Sequence, residues 1–410
     1  MLYHLYQAHA DALQPWRWLA EATSHLLARH RPAAAAGHDW ALRVGAACEL
    51  VFRSQLTHRR PAFDIPSVEV EGRSYPIVEE VVSQTPFAGL LHFRKEGGPE
   101  QPKVLLVAPL SGHFSTLLRD TARVLLGDHA VFITDWHSAR DVAAGHGRFG
   151  LDEYVDHMLA FLRHLGPASH VIAICQPCVA ALASVALLAQ DNDPAQPASL
   201  TLMAGPIDCR VNPTDVNRMA TRHPIDWFEN NLISSVPFPH TGATRRVYPG
   251  VLQLTAFMSM NPKRHLKMFG DLYRHRLAGE HDQADSIAKF YEEYFAVNDL
   301  TADFYLETVE RVFQRYDLPL GRLTYRGVPI DPAAIRRTAL MTVEGERDDI
   351  CSIGQTVAAQ DLCTRIRPYR RTHHVQTGVG HYGVFSGSQW RRSIYPRVRE
   401  MIHQSAGRTG

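Results

Sequence analysis

The sequence predicts an α/β protein: a mostly parallel sheet with a helical lid inserted late and a helical extension in front. Three observations carry that expectation. Short apolar runs recur from residue 103 onward: "KVLLVAP" (103–109), "HAVFITDW" (129–136), "HVIAI" (170–174), "SLTLMAG" (199–205) and "TALMTVEG" (338–345). Helix-like segments, such as 151–165 and 179–190, separate most of them. The interval from Gly205 to Thr338 is too long for one crossover. Strands that are apolar on both faces and alternate with helices belong to a parallel sheet covered on both sides.

Taken in order, residues 2–31 read as a helix in which Trp16, Trp18, Leu19, Leu26 and Leu27 mix with polar residues. "RPAAAAG" (31–37) reads as a break, and a second helix follows over 40–56. Pro61 and Pro66 end the helical pattern, and "SVEVEGRSYPIVEEVVSQTPFAGLLHF" alternates like strands around turns. The division expected is an N-terminal extension over 1–60, a core over 61–210 and 333–410, and a helical cap over 211–332. The cap is rich in aromatics, and 282–316 reads as helices. Most of these aromatics are expected to form the cap's own core. A few should line a cleft, with Trp227 and Tyr248 the first choices.

The 410 residues are 45% hydrophobic and carry a formal charge of +1, from 43 basic and 42 acidic residues. That balance excludes a nucleic-acid-binding surface of the usual kind and an acidic tail. The 23 histidines are scattered and form no metal tract, so no metal is expected. Residues 1–20 lack a basic start and an apolar run, which does not fit a secretory signal. The most apolar helical stretch, 179–188, is too short for a membrane span. The six cysteines lack framework spacing and read as reduced thiols of the cytoplasm.

One stretch concentrates chemistry. "SHVIAICQPCVAALASVALLAQ" (169–190) is an apolar strand, a Cys-Gln-Pro-Cys corner and an apolar helix. A metal site would need a second Cys or His pair, and there is no second C-x-x-C. A thioredoxin-like redox pair belongs to a small fold, whereas several strands precede this motif. An inert core thiol suits Cys178. For Cys175 the favoured reading is a nucleophile elbow, the strand–turn–helix device of the α/β-hydrolase fold, with Ala173 and Pro177 in place of its usual glycines. The turn lifts the thiol above the sheet and sets it at a helix N-terminus, which favours the thiolate.

The order of later motifs agrees with this reading. The fold places an acid after a later strand and a histidine near the end. "TALMTVEGERDD" gives a strand and then Asp348; "HHVQTGVGHYG" gives a strand and then His381. Asp349 competes with Asp348, which the spacing after Gly345 favours. His373 and His374 fall within the strand and read as sheet or surface residues. An oxyanion hole needs two N–H donors. One is expected from Gln176, and the other from Leu110 or Ser111 in "PLSGHFSTLL", where Ser111-Gly112 could instead only make a turn.

Together the start "MLYHLYQAHADALQPWRW", the elbow "ICQP", the turn "GERDD" and the end "GVGHYGVFSGSQWRRSIYPRV" resemble the intracellular poly(3-hydroxybutyrate) depolymerases over most of the chain. The elbow is also similar to the Cys-centred elbow of polyhydroxyalkanoate synthases. The resemblance implies a Cys–Asp–His triad at Cys175, Asp348 and His381, and amorphous polyhydroxyalkanoate granules in the bacterial cytoplasm as substrate. It implies no cofactor, with coenzyme A a possible acyl acceptor and a homo-oligomer a possible state. The alternatives are a synthase-like enzyme, a coenzyme A-dependent thiolytic acyltransferase, and a granule-bound hydrolase fold without catalysis.

Overall fold

Nine strands form the central sheet: β1 (Ser67–Val70), β2 (Arg73–Gln84), β3 (Ala88–Lys95), β4 (Lys103–Val107), β5 (Ala130–Trp136), β6 (His170–Ile174), β7 (Ser199–Met203), β8 (Ala339–Gly345) and β9 (Arg371–Gln376). The computed structural model describes residues 2–29, 38–260 and 262–406; the expected break at 31–37 lies outside them. The spatial order is β1-β2-β3-β5-β4-β6-β7-β8-β9. β1, β2 and β3 pair antiparallel, as does β3 with β5, and every pairing from β5 through β9 is parallel. This is the α/β-hydrolase arrangement. The five apolar runs of the sequence all lie in its interior, and β6, β7 and β8 are buried at every residue.

β4 pairs with β5 on one side and β6 on the other. The strand order therefore reverses at β4, so the loops leaving the carboxyl ends of β4 and β6 open onto one crevice. Such switch points are where open α/β sheets bind ligands. Helix α3 (Arg119–Leu125) follows β4. Helix α4 (Leu151–Leu165) is capped where Glu153 accepts from the Gly150 N–H at 2.7 Å, with Asp152 and Glu153 in its first turn and Arg163 and His164 in its last. Helix α5 (Cys178–Gln190) is apolar around nearly its whole circumference and correspondingly buried.

Between β7 and β8 the chain forms α6 (Asp215–Arg222), α7 (Ile225–Leu232), α8 (Gly250–Met260), α9 (Pro262–Ala278), α10 (His281–Tyr294) and α11 (Ala302–Thr308). A three-stranded sheet of Ser234–Ser235, Arg246–Tyr248 and Leu300–Thr301 lies among them. The lid has its own core of Leu254, Tyr291, Tyr294, Phe295 and Val297, with Phe257, Phe269 and Phe290 packed against it. The final helix, α12 (Tyr395–Ala406), packs under β7 and β8.

In front of the sheet stand α1 (Leu2–Arg29) and α2 (His38–Arg53). α2 stops three residues short of the end the sequence suggests. The chain turns there: the Ser54 hydroxyl donates to the Val51 carbonyl at 2.8 Å, and Thr57 already pairs with Ala296 of the lid.

Candidate functional site

β6 ends at Ile174, and Cys175 takes φ +67°, a left-handed conformation that a side chain adopts only under strain. The Cys175 N–H donates to Met203 O at 2.8 Å, and the Cys178 N–H donates back to Cys175 O at 3.1 Å as α5 begins. This is the geometry of a nucleophile elbow. The tight fit that glycines usually supply beside the nucleophile comes here from Gly205, past the end of β7. A Cβ there would meet Cys178 Sγ at 2.2 Å and Cys175 O at 3.1 Å.

The two cysteines of the corner differ sharply. Cys175 is half-buried at the mouth of the crevice. Cys178 is fully buried, and its thiol donates to Ala173 O at 3.3 Å. Burial, with the neighbouring Cys175 next, pushes the Cys178 thiol well above the ordinary cysteine range. It is a core thiol, held away from the thiolate form that attacks.

After β8 the chain is pinned by a residue the sequence reading did not single out. The carboxylate of Glu344 is buried and accepts from the N–H groups of Gly354, Thr356 and Val357, at 2.7 Å from Thr356 and 2.9 Å from Val357. The Thr356 hydroxyl bridges the N–H and C=O of Gly205, which ties this loop to the elbow. Asp348 projects from the pinned loop. Its Oδ1 accepts from Ile350 and Cys351 N–H at 2.9 and 2.8 Å, and its Oδ2 lies 2.8 Å from Nδ1 of His381. Asp349 is exposed.

His381 opens a short helical turn after β9, is buried, and lies within hydrogen-bonding reach of the Cys175 thiol. Burial alone would lower its pKa. The charges of Asp348 and Cys175, and hydrogen bonds to both, override burial and hold the imidazole well above its ordinary value. The structure thus brings Cys175, His381 and Asp348 together at one end of the sheet. His373 and His374 lie in β9, away from it.

Of the three candidate oxyanion donors, the Gln176 and Ser111 N–H groups find no backbone acceptor among the described residues. The Leu110 N–H donates to the side-chain Oε1 of Gln176 at 3.3 Å, so that side chain must swing aside before Leu110 can serve. The β4 loop is held from the lid side: the Asn298 N–H donates to Gly112 O at 2.9 Å, and His113 pairs with Val297. Asp299, one residue on, is fully buried and accepts from the Tyr3 hydroxyl and the Gly250 N–H. Arg140 donates to Tyr3 Oη at 2.9 Å. The first turn of α1 is therefore bonded to the segment that steadies the β4 loop, which gives the chain's opening residues a part in the site.

The two aromatics picked from the sequence lie elsewhere. Tyr248 is core, 4% exposed and stacked on Tyr305 with ring centroids 3.8 Å apart. Trp227 stacks on His223 at the surface, at 37% exposure. The ring that reaches the thiol is Tyr382, directly after His381. It packs against the same core that Cys175 packs against and against the lid cluster that includes Tyr294. Its position beside His381 in "GHYG" was the available signal.

The family model described as "PHB de-polymerase C-terminus" matches residues 204–406, which hold the lid, Asp348 and His381. No curated protein matches the chain. Among solved structures, similarity extends to a 2-hydroxy-6-oxo-6-phenylhexa-2,4-dienoate hydrolase from Rhodococcus sp. strain RHA1, at 13% identity over 80% of this chain and 99% of that one, with a TM-score of 0.42. It extends also to the thioesterase domain of the curacin biosynthetic pathway, at 11% identity over 80% and 99%, TM-score 0.43. A monoacylglycerol lipase from Paleococcus ferrophilus gives 12% identity over 75% and 96%, TM-score 0.43. The matched stretch supplies the acid, the histidine, the lid and the last two strands, the preceding residues supply the rest of the sheet and the elbow, and the chain is an α/β-hydrolase whose C-terminal part is similar to the PHB depolymerase family.

Proposed function

We propose that this chain is an intracellular carboxylic ester hydrolase that cleaves poly(3-hydroxybutyrate) at storage granules in the cytoplasm, through a Cys175–His381–Asp348 triad and an acyl-enzyme. The observation that carries the reading is the line from Asp348 through His381 to a thiol held at positive φ. No helix among the described residues is long and apolar enough to cross a membrane, which agrees with this setting.

The cycle follows from the geometry. His381, held by Asp348, takes the Cys175 proton. The thiolate adds to an ester carbonyl, and the oxyanion rests on the Gln176 N–H and on Leu110 or Ser111. Collapse breaks the C–O bond, and His381 returns its proton to the departing 3-hydroxyl group. A thioester joins Cys175 to the 3-hydroxybutyryl fragment. Water then adds, with His381 as base, and releases the acid. No metal or redox step is needed. Coenzyme A in place of water would release a thioester instead.

The test is incubation with amorphous polymer, with and without coenzyme A, and identification of products by mass spectrometry. Free 3-hydroxybutyrate or its short oligomers are expected in both arms, and none from Cys175→Ala. Products that appear only with coenzyme A would make the enzyme a thiolytic acyltransferase. Full activity in Cys175→Ala would end the thiol mechanism.

A further inference from the structure

α1 has a polar inner side and an apolar outer stripe. Its inner side carries Tyr3, which is bonded to Asp299, and Gln7 and Gln14, which take Arg140 and Gln55 as partners. Its outer side runs Leu5, Ala8, Ala12, Trp16, Leu19, Thr23, Leu26, in steps of three and four that keep to one stripe of the helix. No residue of the stripe is charged. Trp16 is 68% exposed, Leu5 67%, Leu19 59% and Leu26 55%. α2 repeats the pattern with Trp40, Val44, Ala47 and Val51, and Trp40 is 61% exposed. Trp18, 63% exposed, stands on α1 beside the stripe, and the other exposed large apolar side chains among the described residues are spread through the rest of the chain. Contiguous exposed apolar patches mark interaction surfaces.

We infer that the outward stripes of α1 and α2 are the surface by which the enzyme seats on its water-insoluble polyester, an inference that rests on the polyester reading above. Charge selects the occupant. A poly(3-hydroxybutyrate) surface offers methyl groups and ester oxygens and no ionic group, so a neutral apolar stripe complements it. A helix made for an anionic lipid surface flanks its apolar face with Lys and Arg. Here the charged positions bordering the stripes are few and of both signs, Asp11 and Arg29 along α1 and Arg43 along α2, so neither stripe has a basic flank.

The stripes are also held in a useful place. Glu49 of α2 accepts from Arg276 of α9 at 2.7 Å, and Leu50 packs on Leu272 of the same lid helix. Seating on the polymer through α1 and α2 therefore acts through helices that are bonded to the lid. Docking holds the catalyst at the surface and raises the local concentration of chain segments there without touching the chemistry.

The test uses the full chain and amorphous poly(3-hydroxybutyrate) particles, with binding read by co-sedimentation. Trp16→Gln/Leu19→Gln/Leu26→Gln should weaken particle binding at least tenfold, and Trp16→Gln alone several-fold. Turnover of a soluble 3-hydroxybutyrate ester should stay within twofold of the parent and the melting temperature should hold. If the parent cleaves polymer and the triple variant binds as tightly, this inference is wrong and the depolymerase reading stands. If the parent cleaves the soluble ester but neither binds nor cleaves the polymer, both fall. A parent dimer that dissociates in the variant, with particle binding unchanged, would give the stripes to a second copy. Equal binding to phosphatidylcholine–phosphatidylglycerol vesicles, lost in the variant, would make them a lipid surface. Either result overturns the proposal.

Discussion

Asp348 and Asp349 are neighbours of identical chemistry, and their surroundings separate them. Asp348 is buried with its carboxylate shared between two backbone N–H groups and His381. Asp349 faces solvent. A carboxylate that fixes the tautomer and orientation of a base is worth on the order of 10⁴ in turnover. Asp348→Asn should therefore lower kcat by about that factor, whereas Asp349→Asn should stay within a few-fold. Steady-state kinetics on a soluble ester decide it, and equal modest losses would remove Asp348 from the triad. The sequence could favour Asp348 only by its spacing from Gly345. What pins the loop is Glu344, and a glutamate at a strand end carries no mark in one dimension of whether it will be buried under three N–H groups. Tyr382 was open to inference from its place beside His381. Its contact with the lid was not, because that depends on where α10 comes to rest.

At the scale of elements, the strands of the sheet were the most legible. Burial on both faces leaves an unbroken apolar run, and each such run in the sequence became a strand of the sheet. The lid was legible as a long interval but not in its internal pairing. Tyr248 reads as a cleft-lining aromatic until its two-residue partner strand, Leu300–Thr301, folds back on it from more than fifty residues away. The docking of α1 was legible only as a resemblance in its opening residues. Its cause is a polar network: the Tyr3 hydroxyl bonds Asp299 and Arg140, in a site where burial pushes the Asp299 carboxyl up to about 6. Removing a donor from a buried acceptor costs about 1–3 kcal/mol. Tyr3→Phe, which keeps the ring, should lower stability by about that amount. It should also speed limited proteolysis within α1 before any other element. A variant with unchanged melting temperature and unchanged cleavage pattern would mean that the helix is held by its apolar contacts alone.

The molecule as a whole carries 23 histidines, and their number alone does not distinguish solvated from buried ones. The fold does. His58, His113, His129 and His170 are largely or wholly buried, and each has one ring nitrogen without a hydrogen-bond partner among the described residues. An imidazolium carries two N–H donors, so protonation would leave one of them buried and unmet at His113, His129 and His170, whereas Nδ1 of His58 lies 3.7 Å from Asp299 Oδ1 and its protonation is disfavoured by burial and by the nearby Arg140 charge. Burial accordingly lowers His58 to about 3 and the other three to about 4, from 6.5. A group with a depressed folded pKa gives stability that is full above its unfolded value and is lost as pH falls toward the folded one. Below about pH 6.5 the unfolded chain takes up these protons and the native chain does not. Asp299 acts in the opposite sense between about 4 and 6, because its raised pKa favours the native state at the acid end of that window. Each histidine held neutral in this way adds a slope of up to about 1.4 kcal/mol per pH unit below 6.5, and the raised carboxyls Glu79, Asp141 and Glu293 act in the same sense as Asp299. Urea unfolding at pH 7, 6 and 5 should show the midpoint falling over the last step. His113→Phe, in a pocket already walled by Phe257 and Tyr294, should shallow the fall by about one proton's share. A midpoint that is flat from pH 7 to 5 would mean that these histidines keep ordinary pKa values in the folded chain.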